Sequence, residues 1–240
     1  MREESMTMYT SLKNKTIVIT GASSGIGSAI AFEAARHHMK LVLTYRSGRN
    51  RINKIIHQCE QLGAGPVTAI QLNLLSNTSI LNLERRLKRS KIKINFLINN
   101  AAICVRKKFV DQTYDEMYDQ IRVNLMGTIY LTQRLLRMRR SVTIVNIASI
   151  LGQRGSPALP IYSVTKWALR GFTESLSASG YRAFSINPDL TATPMTEDTG
   201  RPPMDVARGV IELLDGTISS RKIDLNVWEI LEQEPRTRGH

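Results

Sequence analysis

The chain has 240 residues, of which 42% are hydrophobic and 22% charged, and it carries a formal net charge of +13. These proportions are typical of a globular protein and exclude a chain that is disordered throughout. Because 240 residues can bury one sizeable core, we predict a single domain over residues 1–240, with residues 1–14 and 232–240 as peripheral tails.

The cysteines and the N-terminus bear on the compartment. Cys59 and Cys104 have neither the spacing of a disulfide framework nor that of metal ligands. We therefore expect a reducing compartment, a cytoplasmic location and no bound metal. The N-terminal Met-Arg-Glu-Glu-Ser lacks the apolar segment of a signal peptide, and no run approaches the ~18 apolar residues of a membrane span. We expect no membrane partner.

The positive charge raises the question of a polyanionic partner. The basic clusters at 85–89, 107–108 and 134–140 are short, separate and mixed with apolar residues, as on the polar faces of helices. Neither an RNA-binding aromatic motif nor a zinc-finger pattern accompanies them. We predict no nucleic-acid partner. A polyanion-binding protein is the alternative, and salt-sensitive retention on nucleic acid would reveal it.

The first predicted element is a strand at 15–20, an apolar run that suits burial on both faces. It leads into a glycine-rich loop and then a helix from Ser28. Glycines permit the tight turn, while unpaired amides and the helix dipole attract a pyrophosphate. The loop is therefore predicted to bind a dinucleotide through Gly21, Ser23, Ser24, Gly25, Ile26 and Gly27.

The second strand, at 41–45, ends at Arg46. An acidic residue near this point binds the ribose 2′-hydroxyl of NAD, whereas an arginine accommodates the 2′-phosphate of NADP. No Asp or Glu lies between Leu41 and Gln58. Arg46 therefore favours NADP(H), with Ser23 placed to add a hydrogen bond.

The rest of the chain alternates between strands and helices. The predicted strands lie at 66–72, 96–98, 142–147, 181–186 and 222–228, and the predicted helices at 51–62, 78–89, 114–139, 162–176 and 204–214. This alternation predicts an α/β fold with a doubly wound parallel sheet of about seven strands and helices on both faces. Ligands of such folds bind outside the carboxyl ends of the strands, where the candidate residues fall.

Tyr162 and Lys166 are four residues apart on a predicted helix. That spacing places both side chains on one face, with Cβ atoms about 5–6 Å apart. A free tyrosine titrates near pH ~10, and a neighbouring cation favours the phenolate. We therefore predict that Lys166 lowers the pKa of Tyr162 and makes it a proton donor. For the pair alone, an amphipathic helix with a solvated lysine is the alternative.

Several motifs together resemble the short-chain dehydrogenase/reductase family. They are the TGxxxGxG loop at 20–27, the Asn-Asn-Ala-Ala stretch at 99–102, the Val-Asn-Leu stretch at 123–125, and the YxxxK pair. Ser149 precedes Tyr162 by thirteen residues, the separation that the family uses between its serine and tyrosine. The resemblance extends from Lys15 to Trp228.

The resemblance implies an NADP(H)-dependent oxidoreductase that transfers a hydride between nicotinamide and a carbonyl or alcohol carbon. Tyr162 would act as general acid or base, Ser149 would hold the substrate oxygen, Lys166 would also bind the nicotinamide ribose, and Asn124 would position a relay water. It adds as cofactor contacts Asn73, Asn100, Ala101, Pro188 and Thr193. It also implies a homodimer or homotetramer through the helix at 114–139 and the Tyr162 helix. The alternative is that the apolar residues of these helices belong to the core.

The chain departs from the family pattern at three positions. Asn73 stands in place of an aspartate, and Ala102 and Asp189 stand in place of glycines. Aspartate is among the better substitutes where the backbone needs a glycine-like angle. These departures keep one alternative open, a catalytically impaired regulatory protein of the same fold that binds the cofactor.

Overall fold

A computed structural model describes residues 11–218 and 222–232. Its centre is a parallel sheet of seven strands in the order β3-β2-β1-β4-β5-β6-β7. The strands are β1 (Thr16–Ile19), β2 (Lys40–Tyr45), β3 (Val67–Gln71), β4 (Phe96–Asn99), β5 (Thr143–Ile147), β6 (Ala183–Asn187) and β7 (Asp224–Asn226). The predicted doubly wound parallel sheet is confirmed.

Helices cover both faces of the sheet. They are α1 (Gly25–Arg36), α2 (Arg49–Gln61), α3 (Asn77–Arg89), α4 (Tyr114–Ile121), α5 (Thr128–Met138), α6 (Pro160–Ala178), α7 (Pro203–Asp215) and α8 (Val227–Glu232). On one face α1, α2 and α7 pack with residues such as Ile17 and Ile19, while α3 and α5 pack on the other with Val18 and Leu97. Continuous apolar runs form the inner strands because both of their faces are buried.

The strand order reverses direction between β1 and β4, which are neighbours in the sheet. Successive crossovers lead outward from this point on either side. A crevice therefore opens above the carboxyl ends of β1 and β4, which is where doubly wound folds bind their ligands.

The predicted helix at 114–139 is interrupted. Residues Arg122–Gly127 between α4 and α5 form a π-helical segment, which a 3.6-residue periodicity does not reveal. Gly127 packs against the loop after β3 so closely that a Cβ there would lie 2.4 Å from the carbonyl oxygen of Leu74.

The predicted seventh strand is too long at its carboxyl end. It stops at Asn226, and Val227 and Trp228 belong to α8. Val227 and Ile230 are both buried, and their three-residue spacing is helical rather than strand-like.

Most of the predicted tails lie outside the described residues, at 1–10 and 233–240. Next to the first of these, Leu12 is buried in the core. Among the described residues, no helix combines the length and the hydrophobicity that crossing a lipid bilayer requires.

Candidate functional site

A cavity of about 470 Å³ lies along the carboxyl edge of the sheet. Fourteen of the sixteen predicted site residues line it; the two that do not are Gly27 and Asn124. The lining residues are Gly21, Ser23, Ser24, Gly25, Ile26, Arg46, Asn73, Asn100, Ala101, Ser149, Tyr162, Lys166, Pro188 and Thr193.

The glycine loop depends on its glycines in two ways. Gly21 and Gly25 have φ of +66° and +56°, in the left-handed region that favours glycine. A Cβ on Gly27 would lie 2.3 Å from the carbonyl oxygen of Gly21, so only glycine lets α1 begin this close to β1. The first turn of α1 contains no acidic residue, and its amides and dipole therefore present an unopposed positive potential.

Thr20 and Asn100 tie the glycine loop to the end of β4. The Asn100 amide donates to the carbonyl oxygens of Thr20 and Gly21, at 2.9 and 3.3 Å. The Thr20 hydroxyl oxygen in turn accepts from the backbone N–H groups of Asn100 and Ala101. Thr20 is the first residue of the TGxxxGxG motif, but sequence reasoning did not include it among the site residues.

Arg46 and Asn73 lie at one end of the cavity, after β2 and β3. Arg46 is exposed and also borders an adjoining polar depression with Ser76 and Ser79. The Asn73 side-chain oxygen accepts from the N–H of Leu75 at 3.1 Å and closes a turn that an aspartate would also close. The departure at this position therefore preserves the local backbone.

Ser149 and Lys166 are held by main-chain groups. The Ser149 hydroxyl oxygen accepts from the N–H of Leu151 at 3.1 Å, which leaves its hydrogen free to donate. Lys166 is only 3% exposed, and its Nζ donates to the carbonyl oxygen of Ile147 at 2.7 Å. The same Nζ lies 5.3 Å from the ring centroid of Tyr162. All three side chains line the cavity.

The predicted lowering of the Tyr162 pKa is wrong for the protein on its own. Burial raises the pKa of the Tyr162 phenol above its usual value, and the nearby Cys104 thiol adds to the rise. Burial also lowers the pKa of Lys166 to about 8, against a small opposing effect of Cys104. Desolvation disfavours both charged forms and outweighs the attraction between them. At neutral pH the phenol keeps its proton and most of the lysine is charged.

Asn124 is 2% exposed and lies within the π-helical segment. Its side-chain oxygen accepts from the N–H of Ile103, and its amide donates to the carbonyl oxygen of Ile103, both at 2.8 Å. The amide also donates to the Thr165 hydroxyl at 3.2 Å. Asn124 therefore joins the loop after β4 to α6, which carries Tyr162 and Lys166.

Asp189 does not occupy a glycine-like conformation, since it is not among the residues with positive φ. Aspartate therefore needs no glycine-like angle at this position. One carboxylate oxygen accepts from Arg201 at 2.8 Å, and the other is buried without a hydrogen bond. Thr193, further along this segment, lies close to Gly25. A Cβ on Gly25 would be 3.0 Å from the methyl group of Thr193. The segment thus meets the glycine loop.

Sequence reasoning missed several residues of the cavity wall. Cys104 and Arg106 follow the Asn-Asn-Ala-Ala stretch, and Arg154 follows Ser149 by five residues. Their signal was their position in loops that leave the carboxyl ends of strands. Over residues 11–218 and 222–232, no group of three or more His, Cys, Asp or Glu side chains could hold a metal ion.

Comparison with known proteins gives a consistent result. The family model for short chain dehydrogenase matches residues 15–203. An uncharacterised oxidoreductase of Staphylococcus aureus is 31% identical over 218 residues, which cover 85% of this chain and 93% of that protein. The oxidoreductase UcpA of Salmonella typhimurium is 32% identical over 198 residues, covering 79% of this chain and 74% of that protein.

Solved structures agree with the fold. An alcohol dehydrogenase from Thermococcus sibiricus, complexed with 5-hydroxy-NADP, is similar with a TM-score of 0.80 and 27% identity, over 89% of this chain and 96% of that one. A short-chain dehydrogenase from Sphingobium yanoikuyae in complex with NADPH has a TM-score of 0.77 and 25% identity, over 91% of this chain and 92% of that one.

Proposed function

Because this chain belongs to the short-chain dehydrogenase family, we propose that it is an NADP(H)-dependent oxidoreductase. It transfers a hydride between the nicotinamide and a carbonyl or secondary-alcohol carbon of a small molecule. The observation that carries the proposal is that one cavity contains both the glycine loop and the trio Ser149, Tyr162 and Lys166. A dinucleotide and a reacting carbonyl would meet in that space.

The wall of the cavity fits NADP(H). The glycine loop and the amides of α1 would hold the pyrophosphate, Arg46 the 2′-phosphate, and Thr193 the carboxamide. The bound nicotinamide supplies or accepts the hydride. Support for the phosphorylated cofactor comes from Arg46. In addition, the one acidic side chain that the described part of the chain contributes to the lining, Asp189, follows β6 rather than β2.

In the reducing direction, negative charge develops on the substrate oxygen. Ser149, whose hydroxyl hydrogen is free, would donate a hydrogen bond to that oxygen. Tyr162 would then transfer its proton to it as general acid. The raised pKa keeps Tyr162 protonated at neutral pH, and the Lys166 ammonium stabilises the phenolate left behind.

Proton resupply requires a path to Lys166. We assign the relay water to the main-chain carbonyl of Asn124, because the side-chain amide hydrogens already bond Ile103 and Thr165. A π-helical turn at this point is a common device for presenting main-chain groups at functional sites.

The proposal includes a homo-oligomer and a cytoplasmic location. Several large apolar side chains on the helices at 114–127 and on α6 are exposed, including Tyr114 at 73%, Val164 at 56% and Trp167 at 50%. A second copy of the chain would cover them, and light scattering at micromolar protein concentration would report its mass. The cytoplasm supplies NADPH and keeps thiols reduced, as suits the free Cys59 and Cys104.

The proposal is tested with a panel of ketones, aldehydes and quinones followed at the NADPH absorbance, in parallel with NADH. We expect turnover with NADPH at a lower KM than with NADH. Arg46→Ala should raise the KM for NADPH about tenfold and leave that for NADH within twofold, because only NADPH has the charge-assisted contact. The control Arg137→Ala, whose side chain lies outside the cavity, should change neither KM. If neither cofactor binds, the proposal is wrong.

A further inference from the structure

We propose that the substrate carries a carboxylate on an apolar body, and that Arg106 and Arg154 bind this carboxylate at the end of the cavity away from Arg46. This inference rests on the proposed function for the location of the reacting carbonyl. It goes further by stating what the rest of the substrate must look like.

The cavity has two ends because of the strand order. Arg46 and Asn73 follow β2 and β3, which lie on one side of β1. Ser149 and Arg154 follow β5 on the other side of β1, and the Arg154 N–H donates to the carbonyl oxygen of Ile150, one residue after Ser149. Arg106 comes from the loop after β4, between these two halves. The arginines at the Ser149 end are thus separate from the one assigned to the cofactor.

The charge of these two arginines is not neutralised by the protein. Within residues 11–218 and 222–232, neither Arg106 nor Arg154 forms a salt bridge or a side-chain hydrogen bond. Among the described residues, the lining contains four basic side chains and one acidic side chain, Asp189, which is paired with Arg201. An uncompensated positive wall favours an anionic ligand and disfavours a cationic one.

The Arg106 guanidinium lies close enough to interact electrostatically with groups near Lys166. The Arg106 guanidinium and the Lys166 ammonium both act on the Cys104 thiol, each opposing the rise in its pKa that burial causes. Both charges therefore lie within interaction range of one group. An anionic ligand bound near Tyr162 would also be attracted electrostatically by the Arg106 guanidinium.

The same cavity has a large apolar lining. Ile103, Leu151, Leu159, Leu190 and Met195 all line the cavity. Leu190 is 52% exposed and Met195 is 44% exposed, so apolar surface at the mouth remains for a ligand to cover. An alkyl or aryl body would gain about 25 cal/mol for each Å² that it buries there. A small polar substrate would leave this apolar surface exposed to water.

The test uses nonanoate and nonanamide, which share one alkyl chain and differ in charge. Calorimetric titration of the intact protein, with and without NADP⁺, measures the affinity of each. We expect nonanoate to bind at least tenfold more tightly than nonanamide. Arg106→Gln and Arg154→Gln should each weaken the binding of nonanoate about twofold to fivefold and leave that of nonanamide unchanged, because both arginines are exposed and an exposed ion pair retains only part of its strength.

Two controls separate this site from general charge effects. Arg137→Gln removes the same charge from α5, outside the cavity, and should leave the preference for nonanoate intact. The Kd of NADPH should change less than twofold in the Arg106 and Arg154 variants. If the variants bind NADPH more weakly but still prefer nonanoate to nonanamide as the wild type does, the arginines belong to the cofactor site and the inference is overturned.

Turnover provides a second measurement. Straight-chain nonanoic acids with one ketone at successive internal carbons, compared with their methyl esters, should give a higher kcat/KM for at least one acid than for its ester. Equal binding of nonanoate and nonanamide, or no binding of either, overturns the inference whether or not ketones are reduced. A carboxylate preference that depends on both arginines, without any hydride transfer, would uphold it and refute the proposed function instead.

Discussion

At the scale of single residues, the proposed chemistry depends on the protonation states of two buried groups, Tyr162 and Lys166. Burial keeps the proton on Tyr162 and lowers the pKa of Lys166 to about 8. The proposed carbonyl reduction requires both the phenol and the ammonium, because the ammonium would stabilise the phenolate that forms. The titration of Lys166 should therefore limit the rate on the alkaline side.

The kcat/KM for carbonyl reduction should be constant at neutral pH and fall as pH rises through about 8, where Lys166 loses its charge. A Lys166→Arg variant keeps its charge over this range, so its residual activity should lack this alkaline limb. The measurement is a pH profile of both proteins with NADPH. A limb near pH 8 that persists in the Lys166→Arg variant would assign it to another group.

The positions of these residues were predictable, but their energetics were not. The spacing of Ser149, Tyr162 and Lys166 needs only the chain, and the structure brings all three to one cavity. The direction of the Tyr162 pKa shift depends on desolvation by side chains distant in sequence. The ion pair of Asp189 was not predictable for the same reason, since its partner Arg201 is supplied by a later loop.

At the scale of elements, the π-helical segment positions Asn124 and determines how α4 and α5 pass the loop after β3. Gly127 closes this segment. A methyl group at Gly127 would meet the Leu74 carbonyl oxygen at 2.4 Å and the Leu74 Cβ at 2.8 Å, and both lie on another element. Small residues at such crossings let two backbones approach.

Gly127→Ala should therefore lower the free energy of unfolding by about 1–3 kcal/mol, the usual cost of overpacking. Gly171→Ala is the matched control: Gly171 lies within α6 and a Cβ there would meet nothing within 4 Å. It should raise stability by about 0.5–1 kcal/mol through helix propensity. Urea unfolding of the three proteins measures both changes, and a loss of stability in the control or none in Gly127→Ala would refute the packing account.

Most elements were predictable because apolar runs and helical spacing are local signals. Strands β1 to β6 lie within a few residues of their predicted positions. The π-helical segment has no such signal, since a single extra residue in one turn barely alters the apolar pattern. The end of β7 was missed because Val227 is apolar in either conformation, and only the burial of Ile230 distinguishes them.

At the scale of the whole molecule, the sheet order gathers residues from along the chain at one edge. Gly21, Arg46, Ser149 and Asp189 follow four different strands, and the parallel arrangement brings all four strand ends to the cavity. Alternation of strands and helices made this edge predictable. Arg106 and Arg154 were not, because loop residues have no periodicity. The single domain over residues 1–240 stays a prediction.

Deuterium transfer from the cofactor is the sharpest test of hydride transfer with Tyr162 as the proton donor. NADPH deuterated at the transferable position of nicotinamide C4 is incubated with the ketone from the panel that reacts fastest, and the product is analysed by mass spectrometry. We predict one deuterium on the carbinol carbon. We also predict a kcat at least about 100-fold lower in Tyr162→Phe, with the Kd of NADPH within twofold of wild type. A product without deuterium, or a Tyr162→Phe variant that turns over at the wild-type rate, would contradict the account.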